Sequence, residues 1–220
     1  ARARARVVAR APRAARRERP RRRLRRRVAR QPRAARPAGP ADRGHRRPRA
    51  EAGRNGVVTE IPDVADVLFG NYNPAGRLPV TFYKSADQLP PFTDYNMQGR
   101  TYRYFKGEPL YPFGHGLSYT KFVYSNLRLN AKSVKAGEPV NVSVDVMNAG
   151  EREGDEVVQL YLTDVAASAP VPVRTLVGFD RISLRPREKR PVTFTIAPRQ
   201  MSLIDERGKR LIEPGEFLIT

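Results

Sequence analysis

The tightest constraint on how this chain can fold is an alternation at Val140, Val142, Val144 and Val146, interleaved with Asn141, Ser143 and Asp145. A pleated strand sends successive side chains to opposite faces, so this pattern prescribes a strand with one dry face and one wet face. Val158, Leu160 and Leu162 alternate in the same way with Gln159, Tyr161 and Thr163, as do Val192, Phe194 and Ile196 with Thr193 and Thr195. Further extended runs are expected at 122–129, 175–184, 201–204 and 216–220, with turns at Asn148-Ala149-Gly150, Asp205 to Gly208 and Pro214-Gly215. About seven short strands in about 100 residues, without a helical period, predict a mainly β chain with an antiparallel β-sandwich over residues 121–220. The sequence has no cysteine and no tryptophan. It therefore lacks the marks of a true immunoglobulin domain, and it has neither disulfides nor a Cys nucleophile.

Charge divides the chain. Residues 1–56 hold 22 Arg against Glu18, Asp42 and Glu51, so nineteen of the twenty net positive charges sit there, and the remaining 164 residues are nearly neutral. Of the first 50 residues, 42 are Ala, Arg, Pro or Gly, and no aromatic precedes Phe69. A segment so poor in large apolar groups cannot offset about 1–2 kcal/mol per residue of backbone entropy, so residues 1–56 are expected to be disordered. The run Arg21 to Arg27, broken only by Leu24, has the chemistry of a phosphate-binding arm. Against that reading, every basic residue as far as Arg77 is Arg and the first Lys is Lys84. Ala, Arg, Pro and Gly are the residues of GC-rich codons, so a frameshift or misplaced start is favoured over a solvated extension, and nucleic acid is the least favoured partner. No apolar run approaches the roughly 18 residues that span a bilayer, and the Arg-dense start lacks the apolar core of a secretory signal, so no membrane partner is expected and localisation stays open.

From residue 57 the sequence is patterned. Ile61 to Phe69 reads as a short helix, with Val64, Val67 and Leu68 at i, i+3 and i+4 and Gly70 as its stop. Asn71 to Gly76 is turn chemistry, and Leu78 to Phe82 suits a brief edge strand. Downstream lie Gly99-Arg100-Thr101-Tyr102-Arg103-Tyr104-Phe105 and Glu108-Pro109-Leu110-Tyr111-Pro112-Phe113-Gly114-His115-Gly116-Leu117-Ser118-Tyr119-Thr120. Ala65 to Phe82 resembles the end of the α/β sandwich domain of glycoside hydrolase family 3 β-glucosidases and β-xylosidases, and these two downstream segments resemble the same family's next two signatures, in the same order. The strands that follow resemble the fibronectin type III-like domain that closes many members. The resemblance covers roughly residues 61 to 220 and implies three parts: a disordered Arg-rich segment at 1–56, a terminal remnant of the α/β domain at 57–120, and the β-sandwich at 121–220.

Family 3 enzymes are retaining exo-glycosidases, so the resemblance implies hydrolysis of O-glycosyl bonds in a full-length protein acting on β-linked glycosides. The family's nucleophilic Asp lies on an N-terminal barrel and its acid/base residue generally on the next domain, both upstream of the matching segment. No catalytic, cofactor or metal residue is therefore assigned in this chain, which is expected to be inactive alone and to have the catalytic domains as its partner. Tyr102, Tyr104, Phe105, Tyr111, Phe113 and Tyr119 are expected in a packed seam rather than a sugar-stacking platform. Gly114 and Gly116 are expected to permit a tight backbone path, and His115 to be structural. Glu151, Glu153, Asp155 and Glu156 read as a solvated hairpin rather than a calcium loop. The alternative is a stand-alone carbohydrate-binding or adhesion module, which requires an exposed row of aromatics; Tyr124 and Tyr161 are its candidates.

Overall fold

A computed structural model describes residues 4–10 and 61–220, with residues 61–63 described by backbone alone. The chain is mainly β. In chain order the elements are β1 (Ala5–Arg10), α1 (Ile61–Leu68), α2 (Thr101–Tyr104), β2 (Phe122–Leu129), β3 (Ser133–Lys135), β4 (Val140–Asn148), β5 (Gly154–Asp164), β6 (Thr175–Leu184), β7 (Lys189–Ile196), β8 (Leu203–Ile204), β9 (Arg210–Leu211) and β10 (Gly215–Ile219). Five strands form one sheet in the order β3-β1-β10-β5-β6, three form the facing sheet β2-β4-β7, and β8 pairs with β9 in a small hairpin. All pairings are antiparallel except β1 with β3.

The alternating valines do what their period demands. Val140, Val142, Val144 and Val146 are all buried. Val140 and Val142 meet Leu160, Leu162, Phe217 and Ile219 of the opposite sheet, whereas Val144 and Val146 pack with Val158, Ile182 and Leu184. Removing side chains this size from water contributes about 1.5–3 kcal/mol each. The sandwich core is therefore the main source of stability.

Residues 5–10 depart from the disorder expected at the start of the chain. β1 lies inside the five-stranded sheet, with Val7 wholly buried and Ala9 nearly so. Large apolar groups were the wrong quantity to count: a strand held on both edges needs only its inward positions apolar, and Ala5, Val7 and Ala9 alternate with Arg6, Val8 and Arg10. The expectation for residues 11–56 lies outside the described residues. Two smaller expectations change as well. Leu78 to Phe82 reduces to a single bridge between Phe82 and Tyr111. The run at 201–204 splits, because Pro198 opens a 3₁₀ turn through Met201 in which the Gln200 side chain accepts the Ala197 N–H at 2.8 Å, leaving only β8 extended.

β2 carries a bulge between Ser125 and Arg128. At its apex Asn126 has φ +52°, a conformation Asn tolerates better than most residues, and donates to Asp145 Oδ2 at 2.9 Å. Lys189 Nζ reaches the same oxygen at 2.9 Å and Arg128 Nη2 lies 3.4 Å away. The Asn126 hydrogen bond, then that of Lys189, holds the Asp145 carboxyl below the usual carboxylate range. A carboxyl lowered on folding adds stability above its unfolded value, near about pH 4, and loses it as pH falls through the lower folded value. Asp145→Asn is expected to lower the melting temperature at neutral pH and to flatten its decline on the acid side, measured by thermal unfolding across a pH series.

Candidate functional site

The chain's chemistry concentrates at the seam where residues 70–120 lie against the sandwich, and three polar anchors build it. In the first, Arg77, emerging from the 71–76 turn, places Nη2 at 2.5 Å from Oε2 of Glu156 on β5, both side chains being largely buried. Arg77 Nη1 also donates to the carbonyls of Ala75 and Gly76 at 3.2 and 3.0 Å. The Tyr124 hydroxyl on β2 donates to Glu156 Oε1 at 2.7 Å. Burial, and then the adjacent Glu156 charge, push the Tyr124 hydroxyl far above its ordinary range, so it is a fixed donor. Each carboxylate oxygen of Glu156 is thus met by a donor, which offsets part of the cost of burying it.

Asn73 forms the second anchor. Its Nδ2 donates to the Glu153 carbonyl at 3.0 Å, while its Oδ1 accepts from Ser118 Oγ at 2.9 Å and from the Tyr119 N–H at 2.8 Å. One side chain thus ties the turn to the 108–120 signature and to the hairpin entering β5. The third anchor is Asn148 at the end of β4, fully buried. Its Nδ2 donates to the carbonyls of Arg152 and Leu184 at 2.7 and 3.0 Å, and its Oδ1 accepts from Thr120 Oγ1 at 2.6 Å and Gly150 N at 3.0 Å. All four of its hydrogen-bonding positions are met, which offsets the cost of burying an amide.

The aromatics divide between two roles. Tyr102 stacks on Phe113 with centroids 4.2 Å apart and meets Tyr161 edge-on at 6.1 Å, while the Arg174 guanidinium covers the Tyr161 ring at 5.1 Å. Phe105 packs edge-on against Tyr83. Tyr111 and Tyr119 remain about half-exposed. His115 sits 5.0 Å from the Tyr111 ring, and its backbone pairs with Pro112 and Leu78. Gly114 has φ +80°, and a Cβ there would stand 2.2 Å from Gln159 Oε1; at Gly116 a Cβ would stand 2.2 Å from the Gly76 carbonyl oxygen. A backbone oxygen cannot rotate away. Gly116→Ala is therefore expected to cost about 2–3 kcal/mol, as an overpacked site does, read as a lower denaturation midpoint.

A cleft of about 610 Å³ opens at this seam, lined by Arg77, Gly114, His115, Tyr124 and Glu156 together with the apolar residues of the sheets. Glu156 is the one carboxylate side chain among the described residues on its wall. Retaining glycoside hydrolysis requires two carboxyl groups about 5–5.5 Å apart, and Glu156 already satisfies Arg77 and Tyr124. The rest of the acidic cluster disperses: Asp155 pairs with Arg181 at 2.6 Å, and Ser183 Oγ lies 3.4 Å from Glu153 Oε1. Tyr161 is buried and Tyr124 half-buried, so neither forms part of an exposed row. The three anchors carry no local sequence signal: Arg77 and Glu156 are 79 positions apart, and only the packing of the 71–76 turn against β5 brings them together.

Beyond the seam, large apolar side chains stand in solvent. Phe92 is 92% exposed, Tyr95 89% and Phe69 83%, with Leu68 and Leu117 also exposed. The 91–100 loop that carries two of them is held internally by Arg100, whose Nη2 donates to the carbonyls of Pro91 and Asp94 at 3.1 and 2.6 Å, and by Asp94, whose Oδ1 accepts the Asn96 N–H at 2.9 Å.

The architecture is that of a β-sandwich with residues 70–120 anchored against it. Residues 156–220 match the family model of the fibronectin type III-like domain, and residues 57–119 match that of the glycosyl hydrolase family 3 C-terminal domain. The chain belongs to glycoside hydrolase family 3 and corresponds to the C-terminal part of its members. It is 42% identical over 166 residues to the periplasmic β-glucosidase of Salmonella typhimurium, covering 70% of this chain and 22% of that protein. It is 40% identical over 157 residues to the xylan 1,4-β-xylosidase of Xylanibacter ruminicola, covering 71% and 18%. Among solved structures, a β-glucosidase from Erythrobacter marinus superposes with a TM-score of 0.61 at 42% identity, over 71% of this chain and 21% of that one. The β-D-glucoside glucohydrolase of Trichoderma reesei gives 0.62 at 31% identity, over 72% and 26%. The chain spans about a fifth of the length of the curated relatives it matches.

Proposed function

We propose that this chain is the supporting C-terminal portion of a retaining exo-glycosidase of the β-glucosidase and β-xylosidase class, contributing no catalytic carboxylate of its own. The observation that carries this reading is the exposure of Phe69, Phe92, Tyr95 and Leu117, with Phe92 and Tyr95 set on the 91–100 loop, whose backbone is already hydrogen-bonded. Large apolar side chains held out in solvent by a pre-ordered backbone mark a contact with another protein surface. The relatives supply that surface, since about four-fifths of their length lies outside the match. The substrate, a β-linked glucoside or xyloside, would bind in that upstream part.

The reading as a free-standing sugar-binding or adhesion module is less well supported, because Tyr161 is turned inward and Tyr124 is committed to Glu156. Co-expression with the upstream portion of a family relative, such as the thermostable β-glucosidase B of Acetivibrio thermocellus, is the test. The chain is expected to co-purify with it, and Phe92→Ser combined with Tyr95→Ser to weaken that association without lowering the chain's own melting temperature. Failure of the unaltered chain to associate, with its fold intact, would count against the proposal.

A further inference from the structure

We propose that the slot between β3 and β10 is a strand-exchange site, and that its second occupant, besides the chain's own β1, is the Ala5–Arg10 segment of another copy of this chain. β1 is inserted between two strands far from it in sequence. It runs antiparallel to β10, with Ala5 opposite Ile219, Val7 opposite Phe217 and Ala9 opposite Gly215, and parallel to β3, with Val8 opposite Ser133 and Arg10 opposite Lys135. Hydrogen bonds at both margins lock the register: the Val8 N–H donates to the Lys132 carbonyl at 3.1 Å, and the Ala136 N–H donates to the Arg10 carbonyl at 2.8 Å.

The slot has a legible chemistry. Its floor of Val134, Phe217 and Ile219 accepts small inward side chains, Ala5, Val7 and Ala9, and its outer wall offers Glu216, which holds Arg6 at 2.8 Å. It fits an extended, alternating, basic segment. If β1 leaves, two strand edges and an apolar floor are bared together, and bare edges recruit another strand. The segment that fits best is present in equal amount on every other copy and makes the same contacts in the same register. Exchange therefore creates no new interface and costs mainly the entropy of association, the usual basis of domain swapping. β1 is tied to the rest of its own chain only through residues 11–60.

The chain has no native cysteine, so engineered ones report unambiguously. Val8 and Glu216 are opposite each other on the outer face. Full-length Val8→Cys and Glu216→Cys chains would be mixed, taken through a mild unfolding and refolding cycle, oxidised, and their disulfides mapped by mass spectrometry. The expected result is a covalent dimer linked 8 to 216, several-fold in excess of 8 to 8 and 216 to 216 links. Two controls fix its meaning: a Val8→Cys, Glu216→Cys double variant closes within one chain when kept dilute, and Val8→Cys mixed with Asp180→Cys, on a strand that β1 does not touch, gives no excess. Statistical linkage in the mixture, with the double variant still closing internally, overturns the exchange. Failure of the double variant to close overturns the slot itself.

Discussion

Val7→Asp is expected to unfold the sandwich or bring it close to unfolding. Val7 is completely buried between β3 and β10, and the described residues of its core cluster are all apolar, with no cation to receive a carboxylate. An unpaired charge there costs about 4 kcal/mol or more, a large share of the 5–15 kcal/mol that holds a typical domain together. For a domain of about 100 residues each kcal/mol moves the melting temperature by roughly 4–8 °C, so a fall of well over 15 °C is expected by circular dichroism. Val8→Asp, one residue on but facing solvent, is expected to stay within about 1 kcal/mol of the parent. Equal melting temperatures for the two variants would show that the first strand is not part of the core.

Glu156→Ala is the second large effect. It leaves the Arg77 guanidinium largely buried without a counter-ion and the Tyr124 hydroxyl without an acceptor. Breaking one partner of such a pair costs about 3–5 kcal/mol, most of it the uncompensated charge. Arg77→Met combined with Glu156→Leu removes both charges and is expected to recover much of the loss, because two well-packed apolar groups can substitute for a buried pair. Tyr124→Phe alone is expected to cost about 1 kcal/mol, one hydrogen bond. Urea denaturation of the three variants checks these values together. A double variant no better than Glu156→Ala would mean that the pair acts through packing rather than charge.

These effects also show what the sequence could and could not reveal. The strands at 140–148, 154–164 and 189–196 were legible because alternation is a local property, enforced wherever one face of a strand is dry. The 108–120 signature was legible as a tight path, since Gly114 and Gly116 sit where a Cβ has no room. β1 was hidden because its burial depends on β3 and β10, more than a hundred residues away, and because Arg on the outward positions dominates its composition. The Arg77, Asn73 and Asn148 anchors were hidden for the same reason. Each is an ordinary polar residue until tertiary contact supplies its partners. Glu156 shows this most sharply, since it reads as one member of an exposed acidic run and is in fact buried.

The proposed division of labour between a supporting end and a reactive upstream part is tested most directly by turnover. The purified 220-residue chain would be incubated with nitrophenyl β-glucoside and β-xyloside, and nitrophenol release followed over hours. Release at the rate of buffer alone is the expected result, because Glu156 is the one carboxylate side chain among the described residues lining the seam cleft, and Arg77 and Tyr124 already hold it. Sustained hydrolysis by the homogeneous chain would contradict it and would place a reactive carboxylate pair within these 220 residues.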